Sequence, residues 1–433
     1  MPKITFIGAG SVVFAKRLIM DILSYPELSN SEIVLMDIDK ERLDLIYALT
    51  QKIIKKLNSK AKVIATLNRR EALYGSNYVI NMIQVGGLEM FEKDVEIPRK
   101  YGIDQTVGDT IGPGGVFRGL RTIPVLLDIA KDMEELCPNA LFINYSNPMA
   151  MNCWALNKAT KIKNVGLCHS VQGTAMQLAE YIKVPYEEIS YWVAGINHMA
   201  WFLEFKKGNE DLYPKLWQAM EVPEIYIKDA VRFEIMKYFG YFVTESTHHM
   251  SEYIPYFRKN PERIKELIPQ RWDYLEICKS GWQPHYEKIK REINEEEPII
   301  IEKSHEYAAP IIYSMETGNP CRINGNVNND NLITNLPKDC CVEVPCLVDK
   351  LGIHPCFVGD LPPQLAALNR TNINVQELAV LGTLEKDPNK IYQAVMLDPL
   401  TSAILEPREI KKMVDEMFME EKEWINIFKN KKY

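Results

Sequence analysis

Ile4-Thr5-Phe6-Ile7-Gly8-Ala9-Gly10-Ser11 carries a short β-branched and aromatic run straight into two closely spaced glycines, and a stretch with helical spacing extends from Val13 to Leu23. A strand that turns sharply into a helix through Gly-x-Gly is the opening of a dinucleotide-binding fold. Gly8 permits the tight turn, and Gly10 lets the backbone approach a pyrophosphate at the helix N-terminus. Val13 stands where the usual fingerprint has a third glycine, and taken alone the pair could be only a turn. Further along, Leu35-Met36-Asp37-Ile38-Asp39 ends a second strand, and Asp37 lies about where a carboxylate accepts hydrogen bonds from an adenosine ribose. Gly8, Gly10, Ser11 and Asp37 are therefore the candidate cofactor-binding residues. No Arg or Lys directly follows Asp37 to balance a 2′-phosphate, so NAD is expected rather than NADP.

Outward from that unit, Ile33–Met36, Val63–Ala65, Tyr78–Ile83, Leu141–Asn144 and Val165–Leu167 read as further strands alternating with helices, the pattern of a doubly wound parallel sheet. Asp39 can cap a helix whose apolar positions Leu43, Ile46, Leu49, Ile53 and Leu57 recur every three or four residues. Past about residue 190 the pattern changes to longer aromatic-rich stretches, a helix over Pro223–Phe239, and strands near Arg322–Val327 and Val342–Val348. The expected fold is α/β: a Rossmann-like domain over residues 1–190 and a second, α+β substrate domain over 191–433. The charged run Glu406–Lys431 carries Ile410, Met413, Met417 and Trp424 at near-helical spacing, which predicts a surface helix with one buried stripe.

Composition narrows the class. The 433 residues are 46% hydrophobic and 25% charged, with only 22 Gly and 25 Pro, so disordered and fibrous classes are excluded. A net charge of −7 offers no basic field for nucleic acid. No run of about 18 apolar residues or signal peptide is present, so neither a membrane nor export is expected. Nine Cys are scattered with no Cys-x-x-Cys pair, which suits a reducing, cytoplasmic setting.

Ligands of open α/β sheets sit beyond the carboxyl ends of the strands, so the residues just past the later strands carry the chemistry. Those stretches are Val107-Gly108-Asp109-Thr110-Ile111-Gly112-Pro113-Gly114-Gly115, Tyr145-Ser146-Asn147-Pro148 and Cys168-His169-Ser170-Val171. Asn147-Pro148 could be a turn and Cys168 a core thiol. With His198, in Asn197-His198-Met199, a thiolate and an imidazole could together bind a divalent ion whose shell substrate oxygens or water complete. Their thirty-residue separation is not a local metal motif.

Taken in order, Gly8-Ala-Gly10-Ser11, Asp109-Thr-Ile-Gly-Pro-Gly-Gly, Asn147-Pro148, Cys168-His169-Ser170-Val171 and Asn197-His198 resemble glycoside hydrolase family 4. The resemblance extends over essentially the whole chain, through Asn324-Gly-Asn-Val and Thr371-Asn-Ile-Asn-Val, and Cys-His-Ser-Val is similar to the α-galactosidase branch. It implies a glycosidase that does not rely on the usual two carboxylates. NAD would take hydride from C3 of a galactosyl ring, a base would remove the acidified C2 proton, the glycosidic oxygen would leave by elimination, water would add, and NADH would return the hydride. Mn²⁺ held by Cys168 and His198 would stabilise charge on the C2 and C3 oxygens as a Lewis acid. Softness rules alone would favour zinc at a thiolate.

The resemblance further implies that Asn147 contacts substrate and that Asp109 lies near the base. His169 is the candidate for protonating the leaving oxygen, with substrate hydrogen bonding as its alternative role. His249 and Tyr253 are the candidate bases, and His248 reads as a solvated loop residue. Gly86–Glu92 lacks the cation that phosphosugar-specific relatives place there, so an unphosphorylated hexose is expected. A homodimer or homotetramer is implied by the resemblance alone. Rival readings are an α-galacturonidase of the same family, an NAD-dependent hydroxyacid dehydrogenase and a non-catalytic NAD-binding protein.

Overall fold

The computed structural model describes residues 1–425. Twelve strands form one sheet: β1 (Lys3–Ile7), β2 (Glu32–Met36), β3 (Lys62–Thr66), β4 (Tyr78–Asn81), β5 (Leu141–Asn144), β6 (Asn164–Gly166), β7 (Ser190–Ile196), β8 (Met199–Lys207), β9 (Glu210–Asp211), β10 (Cys321–Asn328), β11 (Cys341–Asp349) and β12 (Gly352–Pro355). They run in the order β3-β2-β1-β4-β5-β6-β10-β11-β7-β8-β9, with β12 on β11. The pairings from β3 to β6 are all parallel. This is the dinucleotide-fold order, and it forms where the sequence alternates apolar strands with amphipathic helices.

Every predicted strand is present within one or two residues of its expected span. Asp39 caps the helix Lys40–Lys56 by accepting from the Arg42 N–H at 3.1 Å, and Leu43, Ile46, Leu49 and Ile53 are buried beneath it. β10 adds to β6 in antiparallel register, pairing Asn326 with Gly166, so the later half of the chain extends the first half's sheet. The apolar core is likewise shared, with Ile4 and Val165 in one cluster with Leu365 and Val380.

Two local expectations are corrected. The helix over 223–239 is two helices, Pro223–Tyr226 and Ala230–Phe239. Asp229 breaks it because its carboxylate turns inward to Tyr181 and Arg232, with φ −139°. At the far end, Glu406 and Glu409 form a capping box for the helix Pro407–Glu420. Ile410, Met413, Val414, Met417 and Phe418 make its buried stripe, whereas Trp424 is 44% exposed beyond its end. The remainder of that run, past Ile425, lies outside the described residues.

Candidate active site

The glycine turn after β1 is tight for a visible reason. Gly8 has φ +83°, and a Cβ there would lie 2.9 Å from the Ile83 nitrogen. A Cβ on Gly10 would lie 2.7 Å from the Asp37 carboxylate, which accepts the Gly10 N–H at 2.6 Å and the Asp39 N–H at 2.9 Å. Asp37 thus braces the loop as well as standing beside it. Ser11 occupies the N-cap of the helix Val12–Leu23 without using its side chain as a cap, so the helix end is available to an anion. A backbone cradle, a bare helix terminus and a carboxylate beside them fit the pyrophosphate and ribose of NAD.

Parallel strands bring the next groups to the same edge. After β5, Asn81 donates to Asn144 (2.8 Å) and to Ser146 (3.0 Å), which fixes the turn that presents Asn147. The Asn147 amide donates to Asp109 Oδ2 at 2.9 Å, and Arg118 stands 3.6 Å from the same oxygen. The other Asp109 oxygen is buried without a hydrogen-bond partner. An unpartnered buried acceptor marks a place where a donor is missing.

Cys168 and His198 meet across the sheet. Cys168 Sγ lies 3.3 Å from His198 Nε2, and His198 is held at φ +64° in the turn between β7 and β8. Behind His198, its Nδ1 is 2.9 Å from His249 Nε2, and His249 Nδ1 is 3.1 Å from Glu252. Glu252 also accepts the N–H groups of Thr106 (2.6 Å), Val107 (2.9 Å) and Gly108 (3.1 Å). Burial would push its carboxyl up, but His249 and those donors hold it at about 2. With His249 neutral and its proton on Nδ1 toward the ionised Glu252, His249 Nε2 accepts from His198 Nδ1, which leaves the His198 Nε2 lone pair facing Cys168. That is the tautomer a metal ligand needs.

Desolvation pushes the Cys168 thiol up to about 11, with the Glu245 carboxylate adding to it. Glu245 is 3.8 Å from His198 Nε2 and accepts the Ser246 N–H. Among the described residues no three His, Cys, Asp or Glu side chains are arranged to hold a metal by themselves. The Cys168–His198 pair therefore fits a divalent ion whose remaining positions belong to substrate or water.

Of the two candidate bases, Tyr253 donates to Thr110 Oγ1 at 2.9 Å, and Thr110 Oγ1 reaches His249 Nε2 at 2.8 Å. Burial pushes the Tyr253 phenol well above its usual value. His249 has both ring nitrogens engaged. His169 sits apart from this chain of contacts, its side chain 71% exposed and its Nδ1 3.6 Å from Glu306. His248 is not a solvated loop residue: it is buried in the helix Thr247–Tyr253, bonded to the Gln270 carbonyl at 3.0 Å and lying 4.6 Å from the Trp272 ring.

Sequence reasoning passed over Glu252, Thr110, Glu245 and Glu306. The His249–Glu252 spacing of three on a helix was a usable signal. Glu306 has none, because it meets His169 from 137 positions away.

Comparison with known proteins agrees with this geometry. The model of the family 4 glycosyl hydrolases matches residues 3–184, and that of the family 4 glycosyl hydrolase C-terminal domain matches residues 193–401. An alpha-galactosidase of Bacillus subtilis is 46% identical over 99% of this chain and 100% of its own length. An alpha-galactosidase of Rhizobium meliloti is 39% identical over 98% of this chain and 89% of its own. A solved 6-phospho-alpha-glucosidase from gut microorganisms, in complex with NAD and Mn²⁺, shares the fold at TM-score 0.83 and 21% identity, covering 98% of each chain. With both family models matched in sequence order on a single continuous sheet, the chain belongs to the family 4 glycosyl hydrolases.

Proposed function

We propose that this chain is an NAD- and Mn²⁺-dependent α-galactosidase that hydrolyses terminal α-galactosides. The observation that carries the reading is the Cys168–His198 pair at 3.3 Å, at the carboxyl ends of a sheet whose first turn cradles a dinucleotide. The two α-galactosidases that resemble the chain over nearly its full length favour the galactosyl group, and the absence of a cation in Gly86–Glu92 favours an unphosphorylated sugar. Bound NAD supplies a hydride acceptor for C3 of the sugar, and a bound divalent cation supplies a Lewis acid for its neighbouring oxygens.

The chain's own residues do the rest. Gly8, Gly10, Ser11 and Asp37 hold the dinucleotide, and Cys168 and His198 hold the metal. Glu252 and His249 fix the orientation of His198 and the tautomer it presents. Asn147 and the open oxygen of Asp109 bind sugar hydroxyls, and their mutual hydrogen bond keeps both pointed at the same place. Tyr253, as the phenolate, takes the C2 proton, and the Thr110 hydroxyl bonds to its oxygen and fixes it beside His249. His169, exposed and backed by Glu306, gives a proton to the leaving oxygen. The enzyme works in the cytoplasm as a homodimer or homotetramer, and residues 1–190 and 191–433 divide into the cofactor and substrate domains.

The test is hydrolysis of melibiose in D₂O with NAD⁺, Mn²⁺ and a thiol reductant. Galactose carrying deuterium at C2, with no net NADH, is expected. Full activity in protein stripped of dinucleotide overturns the mechanism. Net NADH would mean a dehydrogenase, and preference for nitrophenyl α-galacturonide over the galactoside would mean the uronide-specific alternative.

A further inference from the structure

Next to Glu306 lies a cavity of about 230 Å³ that none of the other residues assigned above lines. Its walls are Gln172, one turn into the helix that starts after His169, the segment 304–307, the start of β10 at Arg322, and the rings of Tyr186, Tyr191 and Tyr307. Glu306 belongs to both places, since it lines the cavity and stands 3.6 Å from His169 Nδ1. The cavity therefore adjoins the residue that backs the proposed proton donor.

The chemistry of the walls selects the occupant. Tyrosine faces bind the apolar C–H faces of a pyranose, while their hydroxyls and an Arg supply hydrogen bonds to its rim. Tyr186 and Tyr191 hydroxyls are 3.2 Å apart, and the Arg322 guanidinium sits 5.1 Å above the Tyr191 ring, so this wall is preformed. The opposite wall is anchored too: the Ser304 N–H donates to Asp21 at 2.8 Å. Gln172 is only 3% exposed, and its amide nitrogen is engaged by the His305 carbonyl at 3.1 Å. Its side-chain oxygen is buried with no partner, the mark of a site lacking a donor. Arg322, His305 and Glu306, the last also 3.8 Å from Arg17, complete a lining of mixed polar groups, which suits a polyol with many hydroxyls. The volume is below the roughly 300–1,000 Å³ of pockets for larger ligands, so one hexose ring fits and an oligosaccharide does not.

We infer that this cavity is a subsite for a neutral hexopyranose, the sugar that leaves when the galactosidic bond is broken, with Tyr191 and Arg322 as its recognition residues. This rests on the α-galactosidase reading and on His169 as the proton donor to the leaving oxygen.

The experiment compares melibiose, whose leaving group is glucose, with methyl α-galactoside, whose leaving group is too small to reach the cavity. In Arg322→Ala and in Tyr191→Ala, the ratio of kcat/KM for melibiose to that for methyl α-galactoside is expected to fall about tenfold or more, which corresponds to the loss of about 1.4 kcal/mol of binding. The change should fall mainly on KM for melibiose. A ratio unchanged in both variants overturns the proposal. Saturation-transfer NMR with free glucose gives a second readout that needs no turnover. Transfer to glucose in the unmodified chain, lost in Arg322→Ala, supports the subsite, and no transfer in the unmodified chain refutes it. If neither galactoside is cleaved, the galactosidase reading fails while the NMR measurement still decides whether the cavity holds a hexose.

Discussion

Two buried polar clusters border the helix that starts after His169, and they are built to different ends. In the first, Asp229 accepts from Arg232 Nε at 2.7 Å and from Tyr181 at 2.7 Å, while Arg232 reaches Thr174 at 3.2 Å and also Gln177. Both charged residues are 1% exposed, and neither has a buried side-chain atom without a partner. The second contains Cys168, His198, His249, Glu252 and Asp109. It is comparably buried, yet Asp109 and the neighbouring Asn197 keep unpartnered polar atoms, and the His198 Nε2 lone pair faces a thiol. A closed network ties helix to helix and has nothing left to offer a ligand. An open one retains hydrogen-bonding capacity that the fold does not use, and that surplus is what a substrate and a metal can satisfy.

The contrast breaks most visibly at Cys168. Cys168→Ser is expected to lower α-galactoside hydrolysis on the order of a thousandfold or more, with no recovery on added Mn²⁺. Its thermal midpoint should stay within about 2 °C of the unmodified chain. A serine variant that keeps full activity would remove the metal assignment. The mirror experiment is Asp229→Ala, which strands a buried guanidinium and should cost about 3–5 kcal/mol in chemical denaturation. A loss below about 1 kcal/mol would mean that closure does not matter there.

Asp37 lies between the two cases, because it braces Gly10 and also faces the cofactor cradle. Asp37→Ala should weaken NAD about tenfold by calorimetric titration. An unchanged affinity would leave it a purely structural brace.

The smallest effect is expected at Asp132, which closes a cluster with two partly exposed arginines. Burial alone would push its carboxyl up, but Arg69 and Arg70 hold it below its usual 3.8. The stabilisation is present above that usual value and is lost as pH falls through the lowered one. Asp132→Asn should therefore cost about 1 kcal/mol or less near neutrality, and the difference should vanish in acid. A deficit that persists at low pH would show that the arginines are not its cause.

Much of the molecule was legible in the order of its residues. Strands with β-branched runs, the Asp39 cap and the Gly-x-Gly step from strand to helix are local features, each written in residues within a few positions. The burial of His248 and the break in the 223–239 helix share a cause: the side chains that decide them, Trp272 for the one and Tyr181 for the other, are brought in by folding rather than by spacing. The Trp424 position failed more simply, since helical spacing says nothing about where a helix stops.

What the amino-acid order determined by itself was the alternation of strands and helices, the dinucleotide turn, and the set of residue types with chemistry to offer. Backbone preference and hydrophobic period act over short range and are written in neighbouring residues. Only the tertiary structure decided that Cys168 meets His198, that Glu252 sets the tautomer behind them, and that Glu306 joins His169 to an aromatic cavity. Those are contacts between segments tens to hundreds of positions apart, and their geometry exists only once the sheet has aligned its strand ends and the core has closed beneath them.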